Sequence, residues 1–310
     1  MGLFPRQLSE YLAIVGVPRG PSSNVYIVDP ANGSDSNTGL SLTSPLLTVA
    51  AAYALCTANQ NDCVVMIGGP TADAITAAIT WSKSYTHLVG WSTDLPGLGQ
   101  RCRITGGTTT DLTVLVTLSG NGCLFRNVQF YNGADANVDN GAVVVSGSRN
   151  HVKNCFFIGM QHATPAARAG SYSLNVSGAE NFFEDCAIGT DTIVRAAANC
   201  EMILSGSKNT FRGCKFMTYS ETAGHGLVSL VNSAAGVNFF ENCLFYSQSV
   251  NWAAPIDNAF LVTGTGATYY VDLCRCRLVG VDGWSDVVTR FYTSDPLPHA
   301  SAGVPTNPTT

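Results

Sequence analysis

The chain has 310 residues, of which 45% are hydrophobic and 12% charged. That length allows one large domain or two small ones, with ample core and little surface of the Glu/Lys helical kind. With 16 basic against 21 acidic side chains the net charge is −5, which argues against a surface for nucleic-acid phosphates.

Residues 1–23 open with the apolar stretch "FPRQLSEYLAIVGV" and a Pro/Gly break. A short helix around Arg6–Ile14 is expected, too short to fold alone. It reads as a docking segment for the rest of the chain, a sister chain or another protein. It lacks the basic start, apolar core and small-residue cleavage site of an export signal. No run reaches the roughly 18 apolar residues of a membrane span. Folding in a cytosol is therefore expected, and the 11 cysteines should be mostly free thiols behaving as small hydrophobes. Cys56 and Cys63, flanking "TANQND", could bridge if oxidised.

From residue 24 a strand ends in Asp-Pro, and a polar turn, "ANGSDSNTG", follows. Asp29, Asn32 and Asp35 do not keep the alternate spacing of a calcium loop, and its twelfth position is not acidic, so a turn is expected rather than a metal site. An Ala-rich helix near Leu47–Cys56 precedes the strand "CVVMIGG".

The middle of the chain repeats itself. Aligned on Cys155, Cys186, Cys214, Cys243 and Cys274, with Val128 in the cysteine's place one step earlier, the units measure 27–31 residues. Three residues before stand Phe125, Val152, Phe183, Phe211, Phe240 and Val271. Two residues after stand Phe130, Phe157, Ile188, Phe216, Phe245 and Cys276. Phe211 and Cys214 differ in parity, so one straight strand cannot point both inward. A corner between them can. The residue at the corner is Asn127, Asn154, Asp185, Gly213 or Asn242 in five of the six units, types that tolerate the left-handed backbone; the sixth is Leu273. Five before the cysteines stand Asn150, Asn181, Asn209 and Asn238. A further strand and Gly turn lie upstream in each unit, as in "AVVVSGS" and "EMILSGS". No unit has room for a crossover helix, so parallel pairing requires a solenoid. The expected fold is all-β, a parallel β-helix over residues 24–285 with inward ladders of Phe/Val, Cys and Phe/Ile, and the Ala-rich helix capping its open end.

Outward, two before the cysteines, Lys153, Glu184, Arg212 and Glu241 alternate in sign. Stacked, they form a ladder of ion pairs that fixes coil register. Glu241 beside Asp272 breaks the alternation and is the candidate acidic pair. Glu180 beside Glu184 and Asp185 is a second acidic spot. No CxxC pair or His partner stands at metal-ligand spacing, so no metal or cofactor is expected. His87, His151 and His162 are scattered. Residues 286–310 lose the repeat and gain prolines, reading as an extended tail.

These units, with the opening "YIVDPANGSDSNTGLSLTSPLLTVAAAYALCTANQNDCVVMIGG", resemble the right-handed parallel β-helix, or pectate-lyase-like, superfamily across roughly residues 24–280. The resemblance is specific for fold and nearly silent on chemistry. "AGHGL", around His225, matches the Gly-His-Gly of the polygalacturonase group, but that group's Asn-x-Asp, Asp-Asp and Arg-x-Lys are absent. No Asp cluster of the pectate-lyase kind shows in the coils. The resemblance extends to bacteriophage spike, tailspike and decoration proteins, and it implies a non-enzymatic virion structural protein assembled in the host cytoplasm. It further implies a homotrimer held to capsid or tail proteins through residues 1–23, touching host-surface glycans weakly. The alternative is a tailspike-type polysaccharide depolymerase, hydrolase or lyase. That would use Glu241 and Asp272, with Tyr246, Trp252 and Tyr270 as sugar platforms. A bacterial surface adhesin is a third reading, against which the missing export signal argues.

Overall fold

In the computed structural model, the described residues are 12–13, 16–92, 102–107, 111–135, 137–220, 222, 224–231, 236–248, 256–263, 269–285 and 291–293. Their strands fall into three long parallel sheets of 10, 8 and 7 strands, with a small two-stranded sheet beside them. The chain visits the first, second and third sheets in turn and then returns to the first. In one coil these are His151–Lys153, Phe156–Ile158 and Leu174–Val176. This is the parallel β-helix the repeat requires.

The apolar columns are the core. On the first sheet Phe125, Val152, Phe183, Phe211, Phe240 and Leu273 are all buried. Phe183, Phe211 and Phe240 stack with ring centroids 4.8 Å apart, the spacing that parallel strands impose. On the second sheet Phe130 stacks on Phe157 at 5.6 Å and Phe216 on Phe245 at 4.7 Å. Between the columns lie the corner thiols. Cys186 donates to the carbonyl of Val152, Cys214 to that of Phe183 and Cys243 to that of Phe211, each one coil back. The corners turn left-handed at Asn127, Asn154, Asp185, Gly213 and Asn242, with φ between 49° and 64°.

The last unit corrects the alignment by two residues. Cys276, not Cys274, takes the ladder position, donating to the carbonyl of Phe240. Cys274 pairs with Glu241 across the sheet and is only half-buried. Arg275, at φ 53°, is the corner between Cys274 and Cys276. The physical reason is Leu273. At the corner it would be exposed in a left-handed backbone, whereas here it is buried in the phenylalanine column, worth about 1.5–3 kcal/mol. Upstream, Cys102 extends the ladder by one coil, since Arg103–Gly106 pairs in register with Gln129–Asn132.

The second asparagine column is a hydrogen-bonded stack. Asn150, Asn181, Asn209 and Asn238 are buried. Their amide nitrogens donate to the carbonyls of Gly120, Gly147, Gly178 and Gly206 respectively, at 3.0–3.1 Å. Each amide oxygen in turn accepts the backbone N–H of the coil before, for example Asn181 from Asn150 at 2.9 Å.

Helix α1, Val49–Leu55, starts at the N-cap Thr48, whose hydroxyl accepts from Ala51 N. Its buried Tyr53 stacks on Trp81 at 4.2 Å and closes the first end of the tube. In the preceding turn Asp35 accepts from Leu47 N, Thr48 N and Thr48 Oγ1, each at 2.9 Å. Cys56 and Cys63 are free thiols on opposite sides of the wall: Cys56 in the tube core, Cys63 in a separate outer layer. That outer layer is where the start of the chain goes. Leu12 and Val17 pack over Val25, Ile27, Cys63, Val65, Val89 and Leu124 on the outer face of the first sheet. The helix expected at Arg6–Ile14 lies largely outside the described residues. Of the expected tail, Phe291–Thr293 is described: it pairs with Val271–Leu273, and Phe291 packs edge-on against Phe260 at 5.3 Å.

Candidate functional site

Outward positions of the first sheet carry the candidate acids. One outward row runs Lys153, Glu184, Arg212, Glu241 and Cys274 in register. Lys153 Nζ lies 2.6 Å from Glu184, and Arg212 Nε lies 2.7 Å from Glu241. Burial alone would push the Glu184 carboxyl up, but Lys153 and His151 outweigh it and hold it below the usual range. The guanidinium of Arg212 also sits over the Phe182 ring, 5.0 Å from its centroid.

The neighbouring outward row runs His151, Phe182, Thr210, Phe239, Asp272 and Tyr292. Asp272 therefore faces Phe239, not Glu241 as the sequence alignment had it. The two carboxylates sit diagonally on adjacent strands, and strand spacing and rise put their Cα atoms roughly 8 Å apart. Partial burial and then Glu241 push the Asp272 carboxyl up. His151 stacks on Phe182 at 5.2 Å and lies 3.3 Å from Glu184, yet burial keeps its pKa below the ordinary value. A raised acid near an ionised one is the arrangement glycoside hydrolysis uses. Here the second carboxylate, Glu241, is already bound to Arg212.

The two described candidate sugar platforms lie on different sheets. Tyr270 is exposed on the first sheet, its ring 5.5 Å from Tyr292. Tyr246 lies on the second sheet, its hydroxyl donating to Gln248 Oε1 at 3.3 Å. Trp252 lies outside the described residues. Among the described residues no group of three His, Cys, Asp or Glu could hold a metal ion, and no helix is long and apolar enough to cross a membrane.

His225 of the Gly-His-Gly is sealed inside, in a network that sequence reasoning missed. Arg195 Nε pairs with Glu201 Oε1 at 2.7 Å, both side chains 0% exposed. Ser173 Oγ donates to Glu201 Oε2 at 2.7 Å, and Arg195 Nη1 to the carbonyl of Met160 at 2.9 Å. The Thr218 hydroxyl lies 2.8 Å from His225 Nε2 and 3.0 Å from Glu201. Asn199, fixed by the carbonyls of Ala166 and Arg168, receives the His225 Nδ1 proton at 2.7 Å. Burial, with Arg195 nearby, lowers the His225 pKa to about 3, so the imidazole stays neutral. All of these side chains are buried, so the network ties the strand residues Glu201 and Thr218 to the connecting residues Arg195, Asn199 and His225, and a buried pair of this kind breaks at high cost if one partner is removed. A lone Glu inside "CEMIL" was the only sequence signal for it.

Neither a family model nor a curated protein sequence matches the chain. Solved structures do. A pectin methylesterase in complex with a hexasaccharide superposes with a TM-score of 0.58 at 14% identity, covering 93% of this chain and 94% of that one. A pectate lyase gives 0.58 at 18% identity over 85% of this chain and 64% of its own. A tailspike of Acinetobacter baumannii bacteriophage Fri1, described as a capsular polysaccharide depolymerase, gives 0.51 at 13% identity over 88% and 58%. These likenesses show the fold: the chain is a right-handed parallel β-helix.

Proposed function

We propose that the chain is a non-enzymatic structural protein of a bacteriophage virion, a rigid β-helix body displayed on the capsid or tail. The observation that carries this reading is the outer ladder. Glu184 and Glu241 are committed to Lys153 and Arg212, and the Gly-His-Gly histidine is enclosed. The outward charges thus serve coil register rather than bond cleavage. The phage tailspike among the structural neighbours supports the setting. The proposal includes a homotrimer, attachment to capsid or tail proteins through residues 1–23, assembly in the host cytoplasm, and no nucleic-acid partner. Quantitative mass spectrometry of purified virions tests it. A copy number tracking the major capsid protein indicates decoration, and a few copies per particle indicate a spike. Absence from the particle overturns the reading.

A second reading, the tailspike-type depolymerase, is favoured by one observation, the raised Asp272 carboxyl beside Glu241. It expects Glu241→Gln and Asp272→Asn each to abolish glycan cleavage while folding is retained. A wild-type protein inert on capsular polysaccharide removes this reading.

A further inference from the structure

The turn from the third sheet to the first forms a second left-handed column. Tyr85, Gly122, Arg149, Glu180 and Lys208 occupy it in successive coils, with φ between 53° and 64°. Backbone bonds stack these turns: Tyr85 N to Asn121 O at 2.9 Å, Gly122 N to Ser148 O at 3.2 Å, Arg149 N to Ala179 O at 3.1 Å. Glycine or asparagine suits such a position, and a bulky aromatic there is unusual. Strain of this kind persists where the surroundings over-determine it. At Tyr85 they do. A Cβ on Gly122 would lie 2.6 Å from the Tyr85 ring, so the missing side chain is the shelf on which the ring rests. The ring remains half exposed, at 50%.

Beside the ring runs a groove of about 490 Å³ whose walls include Asn121, Ser148, Arg149 and Glu180. It spans three coil steps from Tyr85 to Glu180, roughly 14 Å. Asn121 Oδ1 accepts from Ser148 N at 2.7 Å, and Ser148 Oγ accepts from Ala179 N at 3.1 Å. Those bonds use the oxygens as acceptors and leave the amide and hydroxyl protons for a ligand. Arg149 Nε lies 2.7 Å from Glu180, with Lys208 Nζ at 3.8 Å from the same carboxylate. The groove is therefore polar, with its acid and a base bound to each other.

We propose that this groove is a binding site for a neutral oligosaccharide. One sugar ring stacks its C–H face on Tyr85, and the next hydrogen-bonds along Asn121, Ser148 and the Arg149–Glu180 pair. An aromatic plane beside alternating donors and acceptors matches a ring with an apolar face and a hydroxyl rim. The site is separate from Glu241 and Asp272. It gives the weak glycan contact that the family resemblance implies a place, and it rests on the proposed function only for its biological setting. Binding to purified protein is independent of copy number in a particle, so the two can fail separately.

The test is calorimetric titration of the full chain with cellohexaose, maltohexaose, mannohexaose and, as the acidic control, hexagalacturonate. At least one neutral hexasaccharide is expected to bind. Tyr85→Asn, which keeps a residue at ease in the left-handed turn, is expected to weaken binding at least tenfold with the melting temperature unchanged or raised. Tyr85→Trp is expected to retain it. Binding of none of the neutral sugars, binding only of hexagalacturonate, or undiminished binding by Tyr85→Asn overturns the proposal.

Discussion

Asparagine plays two roles in this chain, and the backbone around it decides which. Asn242 is an exposed corner at φ 54°, where glycine serves as well. Asn209 is buried; its amide nitrogen donates to Gly178 O and its oxygen accepts from Asn181 N at 2.9 Å. Asn209→Ala orphans both groups and is expected to cost roughly 2–5 kcal/mol in urea unfolding. Asn242→Gly is expected to stay within about 0.5 kcal/mol of wild type. Equal costs would contradict the division. Sequence spacing located both columns. The change of parity assigned the corner to the column one before each cysteine, but nothing local showed that the other column is a buried hydrogen-bonded stack, because its partners lie one coil away. The Cys274/Cys276 shift has a related cause. Spacings of 31 and 33 residues are both compatible with a coil, and only burial of Leu273 chooses between them.

Among the elements, the capping helix has its N-terminus held by two carboxylates. Asp73 accepts from Val49 N at 2.8 Å, and burial, opposed by that bond and aided by Asp35, pushes its pKa from 3.8 up to about 6. A carboxyl raised in the folded chain binds its proton more readily there than when unfolded. Its contribution thus favours folding fully below pH 3.8 and is lost as pH rises through about 6. Asp73→Asn keeps an oxygen for Val49 but does not titrate. Stability of wild type relative to this variant is expected to rise by roughly 2–3 kcal/mol at most as pH falls from 7 to 4. The low pKa values of His87 and His225 act in the opposite sense, but both are present in both proteins and cancel in the difference. A difference flat with pH would remove Asp73 from the cap. The helix itself was legible from its Ala-rich run. Asp73, 24 residues beyond Val49, was not, since only the first coil's return brings it to the helix end.

Across the whole molecule, the start of the chain seals the outer face of the first coils. Leu12 and Val17 cover Cys63, whose thiol is buried and pushed up by that burial. Losing one such apolar contact costs about 1.5–3 kcal/mol. In Leu12→Asp/Val17→Asp, Cys63 is expected to react with iodoacetamide under native conditions while the β circular-dichroism signal persists. A Cys63 that stays shielded would show that something else covers this face. The sequence by itself determined the solenoid, its inward columns, its left-handed corners and the charge ladder, because each repeats and a repeat averages over local ambiguity. Tertiary structure decided what occurs once. It set the register of the last coil, the place of Leu12 and Val17, the buried Arg195–Glu201 pair with His225, and the Tyr85 groove. Most of these depend on residues that meet only when the coils stack, as Tyr85 and Glu180 do in the groove, and no local pattern along the chain encodes that meeting.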